Sequence, residues 1–224
     1  MSAVHDREAL TATAQRSLTR FPEIPYPTAM PYFDGYIAAT ASAISTIEPA
    51  AVEAAAAVLI DAYTRGRLVF SCGNGGSAAI SNHLQCDHLK GIRTATDIAP
   101  RVVSLSSNVE LLTAIANDIG YSEVFAYQLQ SQASAEDVLI AVSSSGRSPN
   151  ILRALSWARD HGLRTIALTG FDGGDARTLA DVCIHVDACN YGIIEDVHQT
   201  IAHALAQYIR QSRMTPDAIM TSVF

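Results

Sequence analysis

Residues Ser71–Ser77 read SCGNGGS, and the helix-patterned stretch that follows them carries His83 and Asp87. A glycine turn at the head of a helix can bring bare backbone N–H groups against a phosphate, helped by the helix dipole. Residues four apart on a helix share one face, so His83 and Asp87 offer an imidazole and a carboxylate to one divalent cation. A second polar loop, Ser143-Ser-Ser-Gly-Arg-Ser148, runs into Pro149, a residue suited to a first helical turn. Both loops are candidate anion sites, and their serines add hydroxyl donors. A third turn, Thr169–Gly174, reads as ordinary turn chemistry. Neither of the first two loops matches the dinucleotide fingerprint or the P-loop, and the missing lysine argues against nucleoside triphosphate hydrolysis.

The last helical segment supplies Glu195 and His203, with His198 between them. Imidazole and carboxylate ligands suit zinc or a similar divalent ion, and an open coordination position would make the ion catalytic. Glu195 and His203 are eight residues apart, about 12 Å along a helix axis. One ion reaches both only through extended side chains, a bent helix start, or a ligand from another subunit. The ordinary reading of a lone His–Asp pair at this spacing is a surface or capping pair. His88, His161 and His185 read as structural or solvated.

The elements that must position these groups follow from periodicity. Residues 1–20 read as a marginal helix or mobile arm, and Phe21–Pro31, with four prolines, as an extended connector. Helical spacing recurs over Tyr32–Ile47 and Pro49–Thr64, with Gly66 as a stop signal. Strand-like runs then appear at Leu68–Ser71, Val102–Leu105, Val138–Val142, Thr165–Leu168 and Val182–Val186. Helical segments lie between them at Ser77–Leu89, Val109–Ala116, Ser122–Gln132, Pro149–His161 and Asp175–Ala180. A long last helix is expected from Gly192 to Ser212. Short β-branched strands without alternation, each followed by a helix, predict an α/β fold with a parallel sheet covered on both faces. Ligands of such sheets bind at the carboxyl ends of the strands, near a switch in strand order. The expected organisation is an arm and connector over 1–31, one domain over 32–213 and a tail over 214–224.

The chain has 224 residues, enough for one good-sized core, with 49 % apolar and 17 % charged residues. Its net charge of −7 argues against nucleic-acid and membrane-surface partners, which need a positive field. No transmembrane run or secretory signal is evident. Cys72, Cys86, Cys183 and Cys189 form no CxxC pair and are expected as buried free thiols, consistent with a cytoplasmic protein. The Ala-rich second helix and the one before it offer more apolar surface than an exposed pair should, which predicts burial against a symmetry mate.

Five blocks in order, CGNGGSAAISNH, LTAIANDIGY, DVLIAVSSSGRSPNI, TIALTGFDGG and EDVHQTIAH, resemble the sugar isomerase (SIS) family of phosphosugar-binding domains, phosphoheptose isomerases in particular. The resemblance covers roughly Tyr32 to Arg210. It implies a three-layer α/β/α sandwich with a central five-stranded parallel sheet behind two N-terminal helices. It implies a homotetramer with sites at subunit interfaces, and aldose–ketose isomerisation of sedoheptulose 7-phosphate, a step that supplies heptose to lipopolysaccharide or capsule. It assigns Gly75, Gly76, Ser77, Ser143, Ser144, Ser145 and Ser148 to phosphate binding, and Asn74 and Asp118 to substrate contacts. It assigns His83, Asp87, Glu195 and His203 to Zn2+ and, for Asp87, His203 and Glu195, to catalysis, with Asp87 favoured by position as the base, His203 passing the proton between oxygens, and Glu195 the alternative base. The family usually has Glu at the position of Asp87 and Gln at that of Glu195. Asp shortens a general base by one methylene, and Glu adds negative charge beside an ion. Two other readings stand beside this one. Non-catalytic relatives, including a kind that associates with a bacterial replication initiator, need the fold but not the ligands, and retention of two histidines and two carboxylates favours an enzyme. An isomerase of a different phosphosugar would share the same motifs.

Overall fold

A computed structural model describes residues 18–224; most of the arm expected over residues 1–20 lies outside them. Helices α1 (Ala29–Ile44) and α2 (Pro49–Thr64) precede the first strand. Strands β1 (Leu68–Gly73), β2 (Arg101–Ser104), β3 (Val138–Ser143), β4 (Arg164–Thr169) and β5 (Val182–His185) alternate with α3 (Gly76–Cys86), α4 (Val109–Asp118), α5 (Ala126–Gln132), α6 (Pro149–Asp160) and α7 (Ala176–Leu179). Helix α8 (Tyr191–Gln211) follows β5, and a short α9 (Pro216–Thr221) forms within the segment expected as a tail. All five strands are parallel, in the order β2-β1-β3-β4-β5.

Successive residues of a strand point to opposite faces, and this pleat divides the core in two. Val69, Val138, Ile140, Val142, Ile166 and Leu168 join one apolar cluster with residues of α2, α3 and α8. Phe70, Cys72, Leu139 and Ala141 join the other, with residues of α4, α5 and α6. A sheet clothed on both faces explains why its strands read as continuous apolar runs. The result is the expected three-layer α/β/α sandwich. Among the described residues no single helix is long and apolar enough to cross a membrane; α1 and α2 pass such a test only as a pair, bent by 73°.

Four expectations change. The connector is shorter than expected, because α1 takes in Ala29, Met30 and Pro31; a proline in a first turn costs no bond, since its N–H would have no helical partner. The helix expected over Ser122–Gln132 splits into a 3-10 turn at Tyr121–Glu123 and α5. Val124 and Phe125, 0 % and 2 % exposed, lie at the junction between the two and are both buried. The helix expected over Ser77–Leu89 ends at Cys86 and continues as a π turn, Asp87–Ile92. Ile80, Leu84, His88 and Ile92 form a buried row spaced by four. On an α-helix such a row drifts about 40° per step, and the wider π turn absorbs that drift. All four cysteines are free, but only Cys72 is buried as expected; Cys183 and Cys189 are half-buried and Cys86 is exposed.

The starts of β1 and β3 are tied by one carboxylate. Asp137, 4 % exposed, accepts from Leu68 N at 2.9 Å and from Ser134 N at 2.8 Å. Asp137→Ala strands two backbone donors and is expected to cost about 3 kcal/mol, read by urea unfolding; a loss below about 1 kcal/mol would show that water replaces the carboxylate freely.

Candidate active site

The sheet order reverses between β1 and β3, so the chain leaves these neighbouring strand ends to opposite faces and opens a crevice. Both loops singled out in the sequence meet there. A cavity of about 140 Å³ is lined by Asn74, Ser77, Val142, Ser143, Ser144, Ser145, Ser148, Tyr191 and Glu195. Two glycines make the first loop possible. Gly75 caps α3 at φ 55°, where a side chain is strained. At Gly76 any Cβ would run into the Glu195 carboxylate, so α8 lies against the head of α3 only because this residue is bare.

The N-termini of α3 and α6 both open on the crevice, and neither is capped by a side chain; their free N–H groups and dipoles favour an anion. Ser144 is 5 % exposed and its Oγ is buried with no hydrogen-bond partner, as a donor awaiting a ligand would be. Ser143 Oγ instead accepts from Gly146 N at 3.2 Å, and Ser145 Oγ accepts from Arg147 N at 3.3 Å. Asn74 and Asn150 exchange two side-chain bonds of 2.9 Å, and Tyr121 Oη donates to Asn74 Oδ1 at 2.9 Å. The third turn buttresses the second: Gly170 N donates to Ser144 O at 2.9 Å and Ala176 N to Gly146 O at 3.0 Å. Arg147 pairs through both its terminal nitrogens with Asp172.

Farther along α3, its π turn and α8 lies a second polar group. There His83, Asp87 and His203 bring one ligand atom each within 4.8 Å of one another. Asp87 Oδ1 is 3.3 Å from His83 Nε2, and Asp87 Oδ2 is 3.5 Å from His203 Nε2. Asp87 Oδ2 is buried and has no hydrogen-bond partner. Two imidazoles around a carboxylate with an unsatisfied oxygen fit a zinc-class ion with an open position. Gln199 Nε2 lies 2.9 Å from His203 Nε2.

Glu195 is not part of that group; its side chain is in the serine cavity, one end of α8 away. Burial, and then the neighbouring Asp196, hold its carboxyl above the ordinary carboxylate pKa. Tyr36 in α1 donates to Asp196 Oδ2 at 2.7 Å. Asp118 ends α4 on an exposed surface, accepts from Asn117 Nδ2 at 2.7 Å, and does not line the serine cavity. Of the other histidines, His161 stacks on Trp157 with ring centroids 4.0 Å apart. His198 is fully buried with Nε2 3.1 Å from Thr169 O, and burial pushes its pKa down to about 4. Tyr191 and Asn150 gave no separate signal in the sequence. Asn150 could have been noted as the polar residue closing the second loop; nothing marked Tyr191 beyond its place at the head of α8.

The SIS domain model matches residues 32–170. The phosphoheptose isomerase of Citrifermentans bemidjiense is 35 % identical over 161 residues, 72 % of this chain and 83 % of that protein. That of Helicobacter pylori is 38 % identical over 154 residues, 69 % of this chain and 80 % of that protein. A solved phosphoheptose isomerase from Francisella tularensis superposes with a TM-score of 0.74 at 31 % identity, covering 81 % of this chain and 95 % of that one. One from Neisseria gonorrhoeae gives 0.73 at 29 % identity, covering 81 % and 96 %. By sequence and by fold, the chain belongs to the SIS-domain family alongside the phosphoheptose isomerases, and it is a phosphosugar isomerase.

Proposed function

We propose that the chain interconverts sedoheptulose 7-phosphate and D-glycero-D-manno-heptose 7-phosphate. The observation that supports this most is that α3 and α8 carry both a phosphate cradle at their heads and a His–Asp–His group below it. A sugar phosphate anchored by the serine loops would lie with its carbon chain between Glu195, at the head of α8, and the metal group. The seven-carbon substrate is supported by the relatives' names, phosphoheptose isomerase.

In this reading Ser77, Ser144, Ser148 and the free N–H groups of α3 and α6 bind the phosphate. Ser143 and Ser145 shape the loop, and Asn74 fixes the neighbouring hydroxyls. Anchoring the far end converts binding energy into orientation of C1 and C2. His83, Asp87 and His203 would hold a divalent ion, which when bound polarises the sugar carbonyl and acidifies the adjacent C–H. With Asp87 and His203 assigned to the ion, Glu195 is the free carboxylate and takes the role of base. It removes a proton from C1 of the ketose and returns it to C2, while the hydroxyl proton passes from O1 to O2. The carboxyl held above its usual pKa is better matched to accepting a proton near neutral pH. The exposed apolar residues Met30, Phe33, Ile37 and Ile44 on α1, 64 %, 56 %, 53 % and 40 % exposed, support a homotetramer. The four free thiols support a cytoplasmic location.

Ser144→Ala removes one donor to a charged phosphate, worth about 1.5–3 kcal/mol. It should raise KM by about 10- to 100-fold with kcat little changed; an unaltered KM would remove Ser144 from the cradle. Glu195→Gln should lower kcat by about 10²–10⁴ with KM preserved. The base acts as its carboxylate, so wild-type kcat should fall as pH drops through a pKa above the usual carboxylate range, and the variant should lack that limb. Near-wild-type turnover in Glu195→Gln returns the base role to another group. Light scattering of the purified protein should give the mass of four chains, and a clean monomer would refute the assembly.

A further inference from the structure

We propose that Tyr63 and His88 are positioning residues for the metal donor Asp87: their buried contact between α2 and the π turn holds the short Asp87 side chain against His83 and His203. The inference rests on the metal site proposed above and concerns residues outside it.

His88 is the only polar member of the buried row Ile80, Leu84, His88 and Ile92, and it is 1 % exposed. Its Nδ1 is hydrogen-bonded to the Tyr63 hydroxyl, and the two rings meet edge to face with centroids 5.7 Å apart. Tyr63 is 6 % exposed and belongs to α2, so the bond ties the π turn to a helix remote in sequence. His88 Nε2 is buried without a partner. An apolar residue would fill the row without stranding a ring nitrogen. A histidine there fixes direction, because a hydrogen bond weakens steeply as its angle departs from linear.

What direction fixes is the residue next door. Asp87 opens the π turn, and its backbone is set between the regular end of α3 on one side and the anchored His88 on the other. Its carboxylate faces α8 with one oxygen toward each imidazole, at 3.3 and 3.5 Å. An aspartate has one carbon fewer than a glutamate and cannot make up a displaced backbone by changing rotamer. The residue that carries this ligand therefore needs its backbone held close, and the Tyr63–His88 bond supplies the hold. Groups that orient a ligand from behind typically change metal affinity by about 10- to 100-fold.

The test is optical titration of the metal-free protein with Co2+, following the d–d bands, alongside thermal unfolding. Tyr63→Phe keeps the ring and removes only the hydroxyl, and Tyr63→Phe/His88→Leu replaces the polar pair with an apolar one of similar volume. Both should weaken Co2+ binding by about tenfold or more and shift the d–d bands, and adding Asp87→Glu to the double variant should recover most of the affinity through its longer reach. A purely structural pair would lower the melting temperature, leave Co2+ affinity within about twofold of wild type, and overturn the proposal. Weakened binding that Asp87→Glu fails to recover also overturns it, since reach is then not the defect. A wild-type protein whose Co2+ spectrum does not depend on His83 and His203 overturns the metal site itself, an outcome distinct from the other two.

Discussion

The pairing of β1 with β3 is the constraint from which the site follows. Ser71 stands beside Ile140 and Gly73 beside Val142 in a parallel register, and the chain turns to opposite faces of the sheet on leaving these two strands. Their loops must therefore diverge, and the space between them cannot be filled by either helix. Asn74, Ser77, Ser143, Ser144, Ser145 and Ser148 are arranged around that gap. Helix α8 then closes it from the third side, and comes near enough only because Gly76 presents no side chain to Glu195.

Electrostatically the crevice is unusual for a protein of net charge −7. Among the described residues lining the serine cavity there is no lysine or arginine; Arg147, the one cation in the second loop, is occupied by Asp172. Attraction for a phosphate has to come from backbone N–H groups and hydroxyls, which lie at fixed positions and carry little reorganisation cost. Glu195 opposes them, and burial, with the neighbouring Asp196, makes its carboxyl easier to protonate than an exposed one. A site built this way responds to the shape and hydrogen-bonding of a phosphate more than to bulk charge, and ionic strength screens it less than a cluster of exposed cations.

The layered fold was legible because its strands are buried on both faces and read as unbroken apolar runs between helical periods. The two serine and glycine loops were legible for a related reason: strand ends in a parallel sheet have nowhere else to put glycine and serine at such density. The His83–Asp87 pair was also open to reading, as was the problem of spanning Glu195 and His203. What spacing could not supply was the side chain's choice of neighbour. Glu195 turns to the head of α3 because the space over Gly76 admits it, and that space exists only once α3 and α8 are packed. The π turn escaped notice because a row spaced by four looks like good helix until its accumulated rotation is counted.

The doubled amide contact between Asn74 and Asn150 has a consequence in time rather than in space. It joins the loop after β1 to the first turn of α6, with Asn150 fully buried, so neither loop can swing without the other. A receptor locked in this way has its ordering cost met during folding. Encounter with a substrate then needs no rearrangement of the cradle, and capture is governed by diffusion and orientation rather than by loop closure.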